Sequence, residues 1–124
     1  MKLKDNMFLI QGWHNDGDTT AADISLQPDH IIYQAHFPGQ PVTPGVCILQ
    51  IISELAEEHL HTTLALTLVK SMKFIKPLSP VEDAEVTVRF QQLTNTDGIV
   101  TAKGDITKGD TLYTKFSLIY HDEG

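Results

Sequence analysis

Residues 44–59, PGVCILQIISELAEEH, are predicted to form an α-helix that is apolar around most of its circumference. Thr43 suits the N-cap position, and Pro44 suits the first helical position because its missing N–H would have no helical partner there. Apolar side chains recur on most sides of this helix: Val46, Ile48, Leu49, Ile51, Ile52, Leu55, Ala56 and Leu60. Such a helix needs neighbours on most sides, so the rest of the chain is expected to wrap around it.

Segments with the character of β-strands lie on both sides of this helix. Residues 7–10 are apolar, and after the turn-forming HNDGD at residues 14–18, Ala22, Ile24 and Leu26 alternate with polar neighbours. Four further strands are predicted at residues 64–75, 81–91, 99–107 and 111–120, the last three separated by the turns TNTDG and TKGD. One long helix beside six strands predicts an α+β fold with a single antiparallel sheet curled around the helix, in one domain spanning residues 1–124.

One stripe of the predicted helix is polar. At roughly 100° per residue, Gln50, Glu54, Glu57 and His61 fall within about 60° of each other, with Cys47 at the edge. Gln50 has apolar neighbours on both sides and is expected to line a cavity or to pair internally, because an unsatisfied buried amide costs about 1–3 kcal/mol. Cys47 is expected to be a small apolar core residue; the alternative is a thiol in the first helical turn that attacks a thioester.

Charge and composition exclude several classes of function. The formal charge is −7 with only nine Lys and Arg residues, which argues against nucleic acid as the main partner. A lone cysteine cannot form an internal disulfide, and the N-terminal MKLKDNMFLIQGW has no apolar run long enough for a signal peptide or a membrane span. We therefore expect a cytoplasmic protein. The histidines form no metal-binding pattern, so no metal site is expected.

The segment HFPGQPVTPGV, residues 36–46, resembles the signature of the 3-hydroxyacyl-ACP dehydratases of bacterial fatty acid synthesis. That signature is His-Phe-Pro-Gly, a variable residue, Pro-Val, a variable residue and Pro-Gly-Val, and this chain matches every fixed position. The segment KFIKPLSP, residues 73–80, is similar to the Phe-x-x-Pro-x-x-Pro of the same family. The resemblance covers roughly residue 23 to the C-terminus and implies the hotdog fold, in which an antiparallel sheet wraps around one long helix.

Elimination of water from a 3-hydroxyacyl thioester needs a base, an acid and donors that stabilise charge on the thioester carbonyl. An imidazole titrates near neutral pH, so His36 is the candidate base. The resemblance implies that the Gly45 N–H, at the start of the helix, polarises the carbonyl. Other residues of this segment are expected to bind the substrate: Phe37, Pro38, Gly39, Pro44 and Val46. No cofactor is expected.

The position at which this family carries its acid is Gln50 in this chain. In the dehydratases that it resembles, the residue fourteen after the histidine is Glu or Asp, and an amide cannot donate a proton as a general acid. That family often has Gln four residues further on, where this chain has Glu54, about 6 Å along the helix axis. Three alternatives follow: Glu54 supplies the proton through a water, a partner subunit supplies the acid, or the chain lacks independent activity.

The resemblance also implies partners. An acyl carrier protein bearing a 4'-phosphopantetheine-linked acyl chain is expected, and because carriers are acidic, Lys70, Lys73, Lys76 and Arg89 are the candidate docking patch. Hotdog proteins close their open sheet edge by pairing, so we expect a homodimer or higher oligomer, or a heterodimer with an active dehydratase. The predicted function is a dehydratase-like role in acyl-chain biosynthesis; the alternatives are a non-catalytic or half-catalytic subunit and an acyl thioesterase.

Overall fold

The computed structural model of the protein describes residues 2–35 and 39–124. The elements within these residues are, in chain order, β1 (Phe8–Asp16), β2 (Thr19–Leu26), α1 (Ile31–Ala35), α2 (Gly45–Leu60), β3 (Leu64–Phe74), β4 (Glu85–Thr96), β5 (Ile99–Lys108) and β6 (Thr111–Asp122). The described strands form one antiparallel sheet in the order β1-β2-β4-β5-β6-β3. The predicted α+β fold is therefore confirmed.

Helix α2 and the inner face of the sheet share one hydrophobic core. The helix buries Cys47, Ile48, Ile51, Ile52, Glu54, Leu55 and Ala56. The inward-facing side chains of β2 and β4 join the same cluster: Ala22, Ile24, Leu26, Val86, Val88 and Phe90. Each large aliphatic side chain buried in this way contributes about 1.5–3 kcal/mol, so the packing of α2 against the sheet stabilises both. The alternation predicted for β2 is confirmed.

The start of α2 differs from the prediction. Pro44, and not Thr43, is the N-cap residue, and no side chain in the described part of the molecule caps the helix. The Thr43 hydroxyl is hydrogen-bonded to the Tyr33 hydroxyl instead, at 2.8 Å, so it does not face the helix N–H groups. Val46, predicted among the apolar positions that need cover, is 67% exposed. The first turn of α2 is therefore open on that side.

The end of β1 and the start of β4 were placed wrongly from the sequence. Strand β1 continues through residues 14–16, and the turn comes at Gly17, whose φ is +61°. The first residues predicted for β4 form a turn instead, because the Ser79 hydroxyl accepts the N–H groups of Val81 and Glu82, both at 3.3 Å. The short helix α1 was not predicted.

Strand β3 is an edge of the sheet. It pairs with β6 on one side only, and its apolar side chains Leu66, Leu68 and Val69 are 39%, 53% and 42% exposed. An unpaired edge that carries apolar side chains favours association with another strand. No helix in the described ranges is both long enough and apolar enough to cross a membrane.

Candidate functional site

The polar stripe of α2 lines a cavity of about 360 Å³ between the helix and the N-terminal segment. Its walls are formed by Lys2, Lys4, Gln50, Glu54, Glu57, Glu58, His61 and Thr62. The structure thus brings together the four residues that the helical periodicity grouped. Cys47, at the edge of this stripe, is fully buried, and burial raises the pKa of its thiol, which suits a core residue and not a nucleophile.

Glu54 is 7% exposed and its carboxylate is held by main-chain donors. The Leu3 N–H donates to Oε2 and the Lys4 N–H donates to Oε1, each at 2.7 Å. These bonds join α2 to a segment about fifty residues earlier in the chain. Buried carboxylates need such partners because an unpaired charge away from water is costly. Glu54 therefore fixes the N-terminal segment on the helix.

Gln50 lies one turn before Glu54 and is hydrogen-bonded to it. The Gln50 amide Nε2 donates to Glu54 Oε2 at 2.8 Å, so the two side chains form one polar pair facing the cavity. From the described residues, the Glu54 carboxylate thus accepts three hydrogen bonds. These three donors stabilise the ionised carboxylate and so oppose its protonation. The arrangement suits an anchoring carboxylate better than a proton donor.

The N-terminus of α2 presents free N–H groups. In the described part of the chain, the N–H groups of Gly45 and Val46 meet no acceptor, whereas those of Cys47 and Ile48 bond to the Pro44 carbonyl. Such a helix end attracts a partly negative oxygen. The Phe74 ring lies against Gly45, where a Cβ would come within 2.8 Å of it. Glycine at this position thus leaves room for the ring beside the free N–H groups.

The other predicted substrate residues are divided between the helix start and an adjoining loop. Pro44 is half-buried and Val46 is exposed at the start of α2, and Gly39 is exposed on the loop. Gly39 borders a second cavity of about 840 Å³, whose walls also include Tyr33, Val42 and Lys76. His36, Phe37 and Pro38 lie outside the described residues.

The contact between Tyr33 and Thr43 was missed by the sequence analysis, which named Thr43 only as an N-cap. The two residues are 2% and 4% exposed, and their hydroxyls are hydrogen-bonded across ten positions of the chain. Burial raises the pKa of Tyr33 to about 12, so the phenol stays neutral in ordinary buffers. Neither the spacing nor the residue types indicate this pair, because the contact depends on the path of the chain between them.

The predicted docking patch is only partly one surface. Lys70 and Lys73 share an outer cleft of about 680 Å³ with Lys103 and Lys115, which the sequence analysis did not select. Arg89 is engaged by Asp105, which accepts from its Nε at 2.8 Å and its Nη2 at 3.0 Å.

Lys76 is separate from this cleft. Its Nζ lies 5.4 Å from the centre of the Tyr113 ring, and its side chain borders the second cavity. The outer cleft is therefore defined by four lysines on β3, β5 and β6, and this set is called the lysine cleft below.

A protein-family comparison matches most of the chain. The model of the ApeI-like family, described as ApeI dehydratase, matches residues 13–109. Among curated proteins, the chain is 30% identical over 90 residues to the 3-hydroxyacyl-[acyl-carrier-protein] dehydratase FabZ of Latilactobacillus sakei, a match that covers 67% of this chain and 64% of that protein. It is 26% identical over 96 residues to FabZ of Lactiplantibacillus plantarum, covering 72% and 65%. The chain thus spans slightly less than two thirds of the length of these relatives.

Solved structures share the fold. The dehydratase heterocomplex ApeI:P from Xenorhabdus doucetiae superposes with a TM-score of 0.71 at 18% identity, covering 91% of this chain and 96% of that one. A thioesterase-like protein, yhdA from Lactococcus lactis, superposes with a TM-score of 0.67 at 12% identity, covering 94% of both. These neighbours confirm the hotdog fold predicted from the sequence.

Proposed function

The chain belongs to the ApeI-like dehydratase family, and on that premise we propose that it eliminates water from 3-hydroxyacyl thioesters carried on an acyl carrier protein. The observation that carries the proposal is the start of α2, where the N–H groups of Gly45 and Val46 have no acceptor among the described residues. The curated relatives, which are named as dehydratases of carrier-bound 3-hydroxyacyl groups, support the same substrate class.

The reaction assigns a role to each end of the HFPGQPVTPG segment. The thioester carbonyl oxygen accepts the Gly45 N–H, which stabilises the negative charge that builds there when the α-proton leaves. His36 removes that proton, the bond between C3 and its hydroxyl breaks, and a double bond forms between C2 and C3. Phe37, Pro38, Gly39, Pro44 and Val46 border the acyl chain and its linker. The hydroxyl leaves as water once it is protonated.

The leaving hydroxyl also needs a proton donor. Gln50 has no acidic proton, and Glu54, the carboxylate hydrogen-bonded to it, is the donor that this chain offers through an intervening water. Its two bonds from the main chain at 2.7 Å oppose that role.

A second candidate function follows from the hydrogen bonds that hold Glu54 to the N-terminal segment. The chain would then be a half-catalytic subunit that contributes His36 and Gly45 and takes its acid from a partner of the same fold. The name of the Xenorhabdus doucetiae structure, a dehydratase heterocomplex, supports this candidate.

Dehydration of a 3-hydroxyacyl carrier protein by the purified chain tests the first proposal. We expect His36→Ala to lower turnover at least about 100-fold, and the matched variant His14→Ala, at an exposed histidine of β1, to leave it unchanged. Equal turnover in wild type and His36→Ala would overturn the proposal. A thiol-release assay on the same substrates tests the thioesterase alternative.

Turnover of the unmixed wild-type chain distinguishes the two candidates, because a half-catalytic subunit shows turnover only on mixing with an active dehydratase. Gln50→Glu tests whether the acid is the one group that such a subunit lacks. In that case the new carboxylate raises the turnover of the unmixed chain at least about tenfold. Substantial turnover by the unmixed wild-type chain would exclude the half-catalytic candidate.

The proposed partners use two further surfaces. The acidic carrier protein docks on the lysine cleft, because opposite charges steer the encounter. A second hotdog chain pairs along the open edge of β3 and gives a homodimer or a heterodimer.

A further inference from the structure

Tyr33 and Thr43 lie at the two ends of the segment that carries the proposed base. Tyr33, in α1, is three residues before His36, and Thr43 is two residues before Gly45. Their hydroxyls are 2.8 Å apart in a buried environment. Thr43 is also held by its main chain, because its N–H donates to the Leu78 carbonyl at 2.8 Å. The pair therefore joins the element that leads into His36 to the residue that leads into α2.

We propose that the Tyr33–Thr43 hydrogen bond is a positioning clamp that sets the Gly45 N–H relative to the segment bearing His36. The inference rests on the proposed function, since it concerns the distance between the proposed base and the proposed carbonyl donor. Neither hydroxyl touches the substrate in this scheme. A misplacement of about 1 Å between reacting groups can lower a rate about 100-fold, so a link between the two ends has direct consequences for turnover.

The chemistry of the pair distinguishes a clamp from ordinary packing. A phenylalanine and a valine would fill nearly the same volume without polar atoms, and apolar packing has no preferred direction. A hydrogen bond in a site of low dielectric constant is directional and specifies one arrangement of its two partners. Pro41 and Pro44 limit the backbone on either side of Thr43, so alignment at Thr43 is passed on to Gly45.

The chain contains a matched control for this pair. Ser53 on α2 and Tyr120 on β6 form a second hydroxyl–hydroxyl hydrogen bond, at 2.7 Å, and Tyr120 is 1% exposed. Burial raises the pKa of Tyr120 to about 12, as it does for Tyr33. Tyr120→Phe therefore removes the same group from a similar environment without touching either end of the 34–42 segment.

Steady-state kinetics of four variants test the clamp. We expect Tyr33→Phe to lower kcat at least about tenfold with little change in KM, whereas Thr43→Ser, which keeps a hydroxyl, retains kcat within about twofold. The double variant Tyr33→Phe/Thr43→Val removes both polar groups. Its urea midpoint is expected to return to the wild-type value, while its kcat stays as low as in Tyr33→Phe. Tyr120→Phe retains the wild-type kcat, at a urea midpoint similar to that of Tyr33→Phe. Recovery of kcat in the double variant, or an equal kcat loss in Tyr120→Phe, would overturn the clamp.

Hydrogen–deuterium exchange of the substrate-free protein gives a readout that needs no activity. Peptides covering residues 34–44 are expected to exchange about tenfold faster in Tyr33→Phe than in wild type, and at the wild-type rate in Tyr120→Phe. If wild type does not dehydrate the substrate but this difference is present, the proposed function fails and the mechanical link stands. If exchange is the same in all three proteins, the clamp is wrong whatever the activity.

Discussion

The buried side chain of Glu54 has two candidate roles, which are to anchor the N-terminal segment and to donate a proton. We expect Glu54→Gln to lower the free energy of unfolding by about 2 kcal/mol, because the new NH₂ group would face the N–H of Leu3 or Lys4 where a carboxylate oxygen now accepts. Urea denaturation measures the change. Glu58→Gln is the control, because its exposed carboxylate pairs with the Lys4 ammonium at 3.1 Å and should contribute less than about 0.5 kcal/mol.

The same variant also separates anchoring from proton donation. If Glu54 only anchors the N-terminal segment, turnover per folded molecule changes little in Glu54→Gln. If Glu54 donates the proton, turnover falls at least about 100-fold while the protein is still folded. An unchanged free energy of unfolding would contradict the anchoring role.

Local signals in the sequence were sufficient for the long helix and for the starts of β5 and β6 but not for these contacts. The helix predicted at 44–59 is observed at 45–60, and β5 and β6 begin where predicted, because apolar periodicity and glycine turns act over a few residues. The Glu54 contacts cross about fifty positions and the Tyr33–Thr43 bond crosses ten, so they depend on the assembled fold. The N–H groups of Gly45 and Val46, which have no acceptor among the described residues, were predictable, since the first N–H groups of any helix lack a partner within it.

At the scale of the strands, a bulge between β4 and β5 depends on a glycine. The register passes from Phe90 opposite Gly104 to Gln92 opposite Lys103, which leaves Gln91 as the extra residue. A Cβ on Gly104 would lie 1.8 Å from the Arg89 carbonyl oxygen. Gly104→Ala is therefore expected to lower the free energy of unfolding by about 3 kcal/mol or more, measured by urea denaturation.

Gly12 gives the matched control for that substitution. It also lies at a register shift, in β1, but a Cβ there would meet nothing within 4 Å. Gly12→Ala should change the free energy of unfolding by less than about 1 kcal/mol. Equal effects of the two substitutions would contradict the close approach at Gly104.

Asp122 ties the end of α2 to the sheet. Its carboxylate accepts hydrogen bonds from the Thr62 hydroxyl, the Gly124 N–H and the Asn95 amide, and these bonds, that of Thr62 first, lower the pKa of the carboxyl. A pKa that is lower in the folded state stabilises the fold above the unfolded-state pKa, and this contribution is lost as the pH falls through the folded-state pKa.

Stability as a function of pH therefore tests the Asp122 contacts. Wild type should exceed Asp122→Asn in urea midpoint near pH 7, and the difference should shrink as the pH falls below about 4. A difference that stays constant down to pH 2 would show that ionisation of Asp122 does not contribute. Asp97→Asn, at an exposed turn, is the control.

At the scale of the whole molecule, positive charge is concentrated at the lysine cleft although the net charge of the chain is negative. Lys73 lies directly opposite Lys115 in the sheet, an unfavourable pairing of like charges, in a chain of net charge −7. The carboxylate in the lysine cleft, Asp105, is already engaged by Arg89. The cleft therefore suits an acidic protein surface that supplies the missing counter-charges.

Charge reversal tests carrier docking on the lysine cleft. Lys115→Glu is expected to raise KM for a carrier-bound substrate about tenfold with kcat unchanged, and to leave KM for a small thioester that lacks the carrier unaffected. The effect should weaken at high salt because exposed charges are screened. Lys108→Glu, outside the cleft, is the control; the same KM increase there would assign the effect to net charge alone.

The proposed pairing of two chains depends on the exposed edge of β3. Pairing this strand with a second hotdog chain would extend the sheet and cover Leu66, Leu68 and Val69. A glutamate at this edge would bring an unpaired charge into the interface between the two chains. Leu68→Glu is therefore expected to raise the dissociation constant of the dimer at least about tenfold in sedimentation equilibrium. Ile99→Glu, at a similarly exposed apolar residue of β5, should leave it unchanged. If Leu68→Glu associates like wild type, the β3 edge is not the interface between the chains.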